Sequence, residues 1–273
     1  MNKVKKIPKY MVLSLFAILI IFPIYMVIIG SFKTEKELYN NVFGLPSMLN
    51  MDNYREAFFG GGLNKYFVNS IVVTGVSIVM ILLLASMAAF ALTRSRIKGS
   101  KMIYLLFIIG IAIPPQVAII QLALQMTNMH LNNSLLGLIF TYVAYELPFS
   151  IFIFYGFMQE IPHEIQEAAM IDGCSNFQMY RRVIMPLSKG PVATVMIFNL
   201  VAIWNDMIFP LVLISDDALK TLPIGLLRFK GMYISKNTVM FAGVIIISIP
   251  LVVLYLCLQK QFIRGISQGA VKG

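Results

Sequence analysis

QEIPHEIQEAAMIDGCSNFQMYRRVIMPLSKG, Gln159–Gly190, is a long polar connection between two apolar runs, and the reading of the chain turns on it. Pro162 is suited to open a helix, because its missing N–H costs little in a first turn. Glu164 and Glu167 fall in the first turns, where negative charge complements the helix dipole. Ala168 and Ala169 favour a helix and are small enough to let another surface approach closely. Asp172-Gly173 is a turn signal. Beyond it Phe177, Tyr180, Val183 and Ile184 recur at helical spacing, and Pro186 is expected to end that second helix. The segment from Met158 to Gly190 therefore reads as helix, glycine turn, helix. Such a hairpin suits two roles equally: resting amphipathically on lipid headgroups, or docking a separate partner.

Working outward, the flanks of the loop are apolar, and so is most of the chain. Its 273 residues are 59% hydrophobic and 12% charged, with a mean hydropathy of +0.81. A soluble domain carries about 25% charged residues, so this chain lacks the polar surface to coat a water-facing globule. A spanning helix needs about 20 mostly apolar residues. Six runs qualify: Tyr10–Gly30, Phe67–Leu92, Met102–Ala123, Leu135–Phe157, Pro191–Ile214 and Val239–Leu258. They are long and continuous, without the two-residue alternation of a membrane barrel. The expected fold class is an all-α membrane protein, one domain over residues 1–273 with six transmembrane helices. Pro23, Pro114, Pro115, Pro148, Pro210 and Pro250 are expected to kink these spans. No cleavable leader is evident, since the first apolar run is long enough to stay as an anchor.

The net charge of +10 raises the question of nucleic acid, and the placement of the charges answers it. With the N-terminus cytoplasmic, 14 of the 22 Lys and Arg residues fall on the inner side. They are Lys3, Lys5, Lys6 and Lys9; Arg94, Arg96, Lys98 and Lys101; Arg181, Arg182 and Lys189; and Lys260, Arg264 and Lys272. The outer connections hold Lys33, Lys36, Arg55, Lys65, Lys220, Arg228, Lys230 and Lys236, partly cancelled by Glu35, Glu37, Asp52, Glu56, Asp216 and Asp217. That asymmetry is the mark of membrane topology. It places both termini in the cytoplasm and gives no reason to expect a nucleic-acid partner.

The run Glu167-Ala168-Ala169, then Asp172-Gly173, then Ile184 and Pro186, resembles the EAA signature of membrane subunits of ATP-binding-cassette importers. PFSIFIFYGFMQEIPHEI (Pro148–Ile165), the WND run at Trp204–Asp206, TLPIGL at Thr221–Leu226 and the ending RGISQGAVKG (Arg264–Gly273) are similar to the carbohydrate-uptake branch, of the smaller maltose-transporter type. Two positions depart from the pattern: Cys174 stands where alanine is usual, and Met185 where leucine is usual. The resemblance implies a type I importer permease fold in a bacterial or archaeal cytoplasmic membrane. It implies a coupling helix that sits in a cleft of a separate ATPase, with Glu164, Glu167, Ala168, Ala169, Asp172, Gly173, Phe177 and Pro186 forming the contact. The implied partners are a homologous permease, an ATPase dimer that binds ATP and Mg, and an extracytoplasmic sugar-binding protein, all amid membrane lipid. The last outer loop, Ser215–Lys236, would by the same resemblance reach toward that binding protein.

The chain contains no G-x-x-x-x-G-K-[ST] phosphate loop, so no ATP site of its own is expected. His130 and His163 are isolated, Cys174 and Cys257 lack metal spacing, and no Ser/His/Asp set converges; neither a metal site nor a catalytic residue is expected. A secondary carrier or a self-contained membrane enzyme is the alternative, but a carrier would tend to show inverted repeats, and none is visible.

Ionisable residues inside spans are costly and point to function. Glu146 lies about 11 residues into its span, roughly 16 Å deep, and Asp206 about 15 residues, roughly 22 Å, from the inner end of the fifth. Asn199 lies between them in depth, with Trp204 and Asn205 beside Asp206, and Tyr142, Tyr145, Gln116 and Gln121 as possible neighbours. Amides, carboxylates and aromatic faces suit sugar hydroxyls and ring faces, so Glu146, Asn199, Trp204, Asn205 and Asp206 are candidates for a translocation path. The same residues equally suit hydrogen bonding between helices.

Overall fold

The computed structural model describes residues 7–94, 97–229 and 236–270. Lys3, Lys5, Lys6, Arg96, Lys230, Lys272 and the last residues of the RGISQGAVKG ending lie outside them, as do the side chains of Lys260 and Arg264. Among the described residues every regular element is helical, in accord with the expected all-α class. The main helices are α1 (Ile7–Ser31), α2 (Leu63–Arg94), α3 (Ser100–Ile111), α4 (Pro115–Asn128), α5 (Leu135–Glu160), α6 (His163–Ile171), α7 (Asn176–Leu187), α8 (Lys189–Asn205), α9 (Ile208–Leu213) and α10 (Asn237–Ala270). Long apolar runs take this form because a bilayer offers the backbone no water, and a helix satisfies its N–H and C=O groups from within.

Among the described residues, four stretches are single helices long and apolar enough to cross a membrane: Lys9–Ser31, Leu63–Arg94, Leu135–Glu160 and Asn237–Cys257. The third expected span is not one helix. α3 and α4 meet at a 100° bend, because Pro114 takes an extended conformation and Pro115 restarts the helix at its first turn. The fifth is divided as well: α8 stops at Asn205, Asp206 is extended, and α9 follows as a separate helix. Pro23, Pro148 and Pro250 sit inside their helices.

The chain forms two compact units. One comprises Met1–Phe67 with Ile224–Pro250, the other Val68–Pro223 with Leu251–Gly273. In the second, α2 buries Val73, Ile81, Ala85 and Ala89, and α5 buries Leu138, Tyr142, Ile151, Phe154 and Met158. Met179 and Ile184 of α7 and Val195 and Ile203 of α8 complete that core. The small residues Ala85, Ser86 and Ala89 recur along α2 and allow close approach of a neighbour, here Tyr180, whose ring packs on Phe90 at 5.5 Å and whose hydroxyl lies 2.8 Å from the Ser86 hydroxyl.

The first unit is held by polar pairing around the α1–α2 connection. Asn53 donates to the carbonyls of Ser31 and Lys33 at 2.7 and 2.8 Å. Glu35 accepts from the Thr238 amide at 2.7 Å and from its hydroxyl at 3.0 Å. Lys236 is ion-paired with Glu56. Gly225 has a packing reason in this unit: a β-carbon there would stand 2.3 Å from the Tyr66 ring, so only glycine fits.

Candidate functional site

The connection Gln159–Gly190 folds as a helical hairpin. Pro162 stands just before the first residue of α6, and Glu164 lies in its first turn. Asp172 ends the helix, its amide bonded to the Ala168 carbonyl at 2.9 Å. Gly173 follows with φ of +77°, a left-handed conformation that costs other residues about 1–2 kcal/mol. Its amide reaches the Met170 carbonyl, and the Cys174 amide reaches that of Ala169, both at 3.0 Å. α7 then starts on a capping box: the Ser175 hydroxyl accepts from the Gln178 amide at 3.3 Å, and the Gln178 side chain accepts from the Ser175 amide at 2.9 Å.

Pro186 stands one residue before the end of the second helix. The helix widens to a π turn over Tyr180–Ile184 and continues through Met185–Leu187. The chain bends only at Ser188, by 76°, before α8.

The hairpin has two faces of opposite character. Ala169, Met179, Tyr180 and Ile184 are buried in the core. Glu164, Glu167, Ala168, Asp172, Gly173, Phe177 and Pro186 are exposed, with Ile171 at 86% the most open apolar side chain of the group. Of the eight expected contact residues, the structure thus places seven outward and turns Ala169 inward.

One residue that fixes this geometry was read in the sequence only as a topology charge. Arg94 ends α2, and its side chain is just 8% exposed. One terminal nitrogen donates to the Met158 carbonyl and to the Ile161 carbonyl at 2.6 Å. The other lies 3.3 Å from His163 Nδ1, and Gln166 of α6 donates back to the Arg94 carbonyl at 3.3 Å. The end of α5, with carbonyls its own helix cannot satisfy, and the start of α6 are thereby tied to α2. The available signal was position: of the basic run Arg94, Arg96, Lys98 and Lys101, Arg94 is the residue nearest the end of the apolar run Phe67–Leu92.

The polar residues of the spans are brought together in part. Tyr142 donates to Asp206 Oδ2 at 2.9 Å. The same carboxylate accepts the amides of Ile208 and Phe209, each at 3.1 Å, so Asp206 caps α9 just where the fifth run breaks. Asn199 is fully buried and donates to Ser150 Oγ at 3.0 Å and to the Val195 carbonyl at 2.8 Å. Trp204 is buried. Asn205 is exposed and bonds the Val201 carbonyl at 2.9 Å, and Glu146 is half-buried. Gln116 and Gln121 are exposed on α4. Beside it, the α3–α4 elbow encloses a cavity of about 270 Å³ lined by Gly110, Pro114, Tyr145, Pro148 and Phe209 among others. The Phe209 ring stands edge-on to Tyr142 and Tyr145, each at 5.6 Å. Asn199 and Asp206 are therefore engaged in hydrogen bonds to neighbouring elements and Trp204 is buried, while Tyr145, Glu146 and Asn205 retain open surface.

Comparison with known proteins gives consistent results. Residues 81–268 match the family model described as binding-protein-dependent transport system inner membrane component. The chain is 35% identical over 275 residues to the multiple sugar-binding transport system permease protein MsmG of Streptococcus mutans, covering 99% of both chains. It is 32% identical over 262 residues to the diacetylchitobiose uptake system permease protein NgcG of Streptomyces coelicolor, covering 95% of this chain and 87% of that one. The fold is that of a chain in the crystal structure of a bacterial ABC transporter involved in the import of the acidic polysaccharide alginate. The TM-score is 0.87 at 21% identity, over 96% of this chain and 97% of that one.

Proposed function

The chain belongs to the family of binding-protein-dependent transport system inner membrane components, and from that premise we propose that it forms half of the carbohydrate pathway of an ATP-binding-cassette importer. It is a transporter permease subunit rather than an enzyme. The hairpin of α6 and α7 is the observation that carries this reading, with one face sunk in the core and the other left open. Glu164, Glu167, Ala168, Asp172, Gly173, Phe177 and Pro186, backed by Ala169, are the docking surface for a separate ATPase, which binds the ATP and Mg. Closure of the ATPase dimer displaces α6. Arg94 and Gln166 pass that displacement to α2 and α5, because a buried guanidinium bonded to both segments resists their separation.

The remaining assignments rest on the same premise. Both termini lie in the cytoplasm, and the six spans of one membrane domain, two of them broken, pair with those of a homologous permease. An extracytoplasmic binding protein delivers the sugar on the opposite side. That its relatives include proteins named for diacetylchitobiose and multiple-sugar uptake supports a neutral oligosaccharide as cargo. Within the path, Glu146 and Asn205 offer hydrogen-bonding groups and Tyr145 an aromatic face, while Asn199, Trp204 and Asp206 keep the helices behind them in place. The test is uptake by proteoliposomes holding this chain with its companion permease and ATPase, given binding protein and a panel of labelled sugars. The reading requires that at least one sugar accumulate only when ATP is enclosed with the ATPase. Accumulation driven by an ion gradient in the absence of the ATPase would contradict it.

A further inference from the structure

The α1–α2 connection contains a stretch, Leu38–Met51, without a single charged residue. Within it Phe43, Leu45, Met48 and Leu49 are all more than 60% exposed, Leu45 at 71% and Met48 at 79%. A water-facing loop rarely concentrates so much open apolar surface. The stretch does not project away from α1. The Phe43 ring lies 5.9 Å from that of Phe22, and the Tyr25 hydroxyl donates to the Phe43 carbonyl at 3.0 Å. At 1.5 Å per residue, Tyr25 and Phe22 sit roughly 9 and 13 Å short of the end of α1. The connection thus folds back along the helix to the level of residues that belong to a span.

Hydrocarbon cannot satisfy the polar groups of non-helical backbone, so at that level they need protein partners or the headgroup boundary. Side chains supply part of them here. Lys33, with no exposed surface, donates through Nζ to the carbonyls of Asn41 at 2.6 Å and Val42 at 3.2 Å. Tyr25 serves Phe43, Asn41 Oδ1 accepts the Gly44 amide at 2.8 Å, and Glu37 Oε1 accepts the Ser47 amide at 2.6 Å. In water these groups would need no such provision. Open apolar side chains beside a backbone that is partly bonded inward match the acyl–headgroup boundary, where headgroups and interfacial water serve the remaining N–H and C=O groups.

We propose that Val42–Leu49 is a lipid-seated anchor, dipping into the leaflet that receives the C-terminal end of α1 and fixing that end of the helix at the membrane interface. Its exposed apolar surface is continuous with that of α1 through the Phe22–Phe43 contact. Asn40, Asn50 and Asp52, at either end of the stretch, remain on the aqueous side.

The test is spin labelling of the assembled complex in phosphatidylethanolamine–phosphatidylglycerol nanodiscs, with Cys174 and Cys257 of this chain and any cysteines of its companions replaced by serine. Labels go singly at Leu45→Cys and Met48→Cys, both side chains too open for the change to disturb packing, and at Asn40→Cys as the aqueous reference. Power saturation compares collision with oxygen, which concentrates in lipid, and with a water-soluble nickel chelate. The anchor requires that Leu45 and Met48 labels favour oxygen over nickel by several-fold relative to Asn40. Free access of nickel would overturn it in favour of a solvated loop. Low access of both would overturn it in favour of cover by a protein neighbour. A further label at Ile18 in α1 separates failure of this proposal from failure of the membrane reading: nickel collision there would contradict the span itself.

Discussion

The guanidinium of Arg94 and the carbonyl oxygen of Ile161 lie 2.6 Å apart, joining the last residue of α2 to the first residue beyond α5. A charged donor on a backbone acceptor is worth about 1.5–3 kcal/mol, and here the same side chain also holds the Met158 carbonyl. Replacing Arg94 by Met is expected to leave the ATPase bound while reducing binding-protein-stimulated ATP hydrolysis at least tenfold. Arg94→Lys, a single ammonium able to serve one carbonyl well, should recover part of the loss. Co-purification of the ATPase and stimulated hydrolysis, measured on the same preparations, check both halves of this expectation.

Gly173 tests the turn separately from the contact surface. Among the described residues no side chain stands within 4 Å of where its β-carbon would be, so the positive φ sets the requirement. Gly173→Asn, which tolerates that conformation, should keep most of the coupling. Gly173→Val should lose about 1–2 kcal/mol of hairpin stability and most of the stimulated activity. Hydrogen exchange at the amides of α6 and α7 would read the loosening directly.

How far the sequence alone reached is clear from these residues. The hairpin was legible because proline, aspartate–glycine and helical spacing act locally, within a few residues. Arg94 was not, since its role depends on carbonyls 64 and 67 positions away, and a single sequence does not reveal such pairs. The spans were legible as apolar lengths. Their breaks were not, because a proline in a span signals a kink and a 100° elbow alike. Pro186 marked the end of α7 to within one residue, since the helix runs through the π turn over Tyr180–Ile184 and stops at Leu187. Asp206 was noticed for its charge, while its capping role depended on a helix break that the composition does not mark.

Tyr142 and Asp206 offer a measure of the polar interior. Hydrogen bonds between helices in membranes average about 0.6 kcal/mol and reach about 1.7. Tyr142→Phe should therefore cost about 1 kcal/mol in detergent unfolding. Asp206→Ala should cost about 1 kcal/mol more, because the cap on Ile208 and Phe209 goes with it. Asp206→Asn keeps a capping oxygen and should fall near Tyr142→Phe.

Gly225 is a packing position, and the expected effect is steric. With a β-carbon 2.3 Å from the Tyr66 ring, Gly225→Ala should destabilise by about 1–3 kcal/mol. Pairing it with Tyr66→Leu, which empties the space, should recover much of that loss. Unfolding midpoints of the single and double variants measure it.

The central claim is that the open face of the α6–α7 hairpin couples this chain to an ATPase. Binding-protein-stimulated ATP hydrolysis by the reconstituted complex tests it most directly, comparing the native chain with Glu167→Lys and Gly173→Pro variants that reach the membrane in equal amounts. Loss of stimulation in both variants, with assembly of the two permeases intact, is the predicted result. Native stimulation in both would contradict the account.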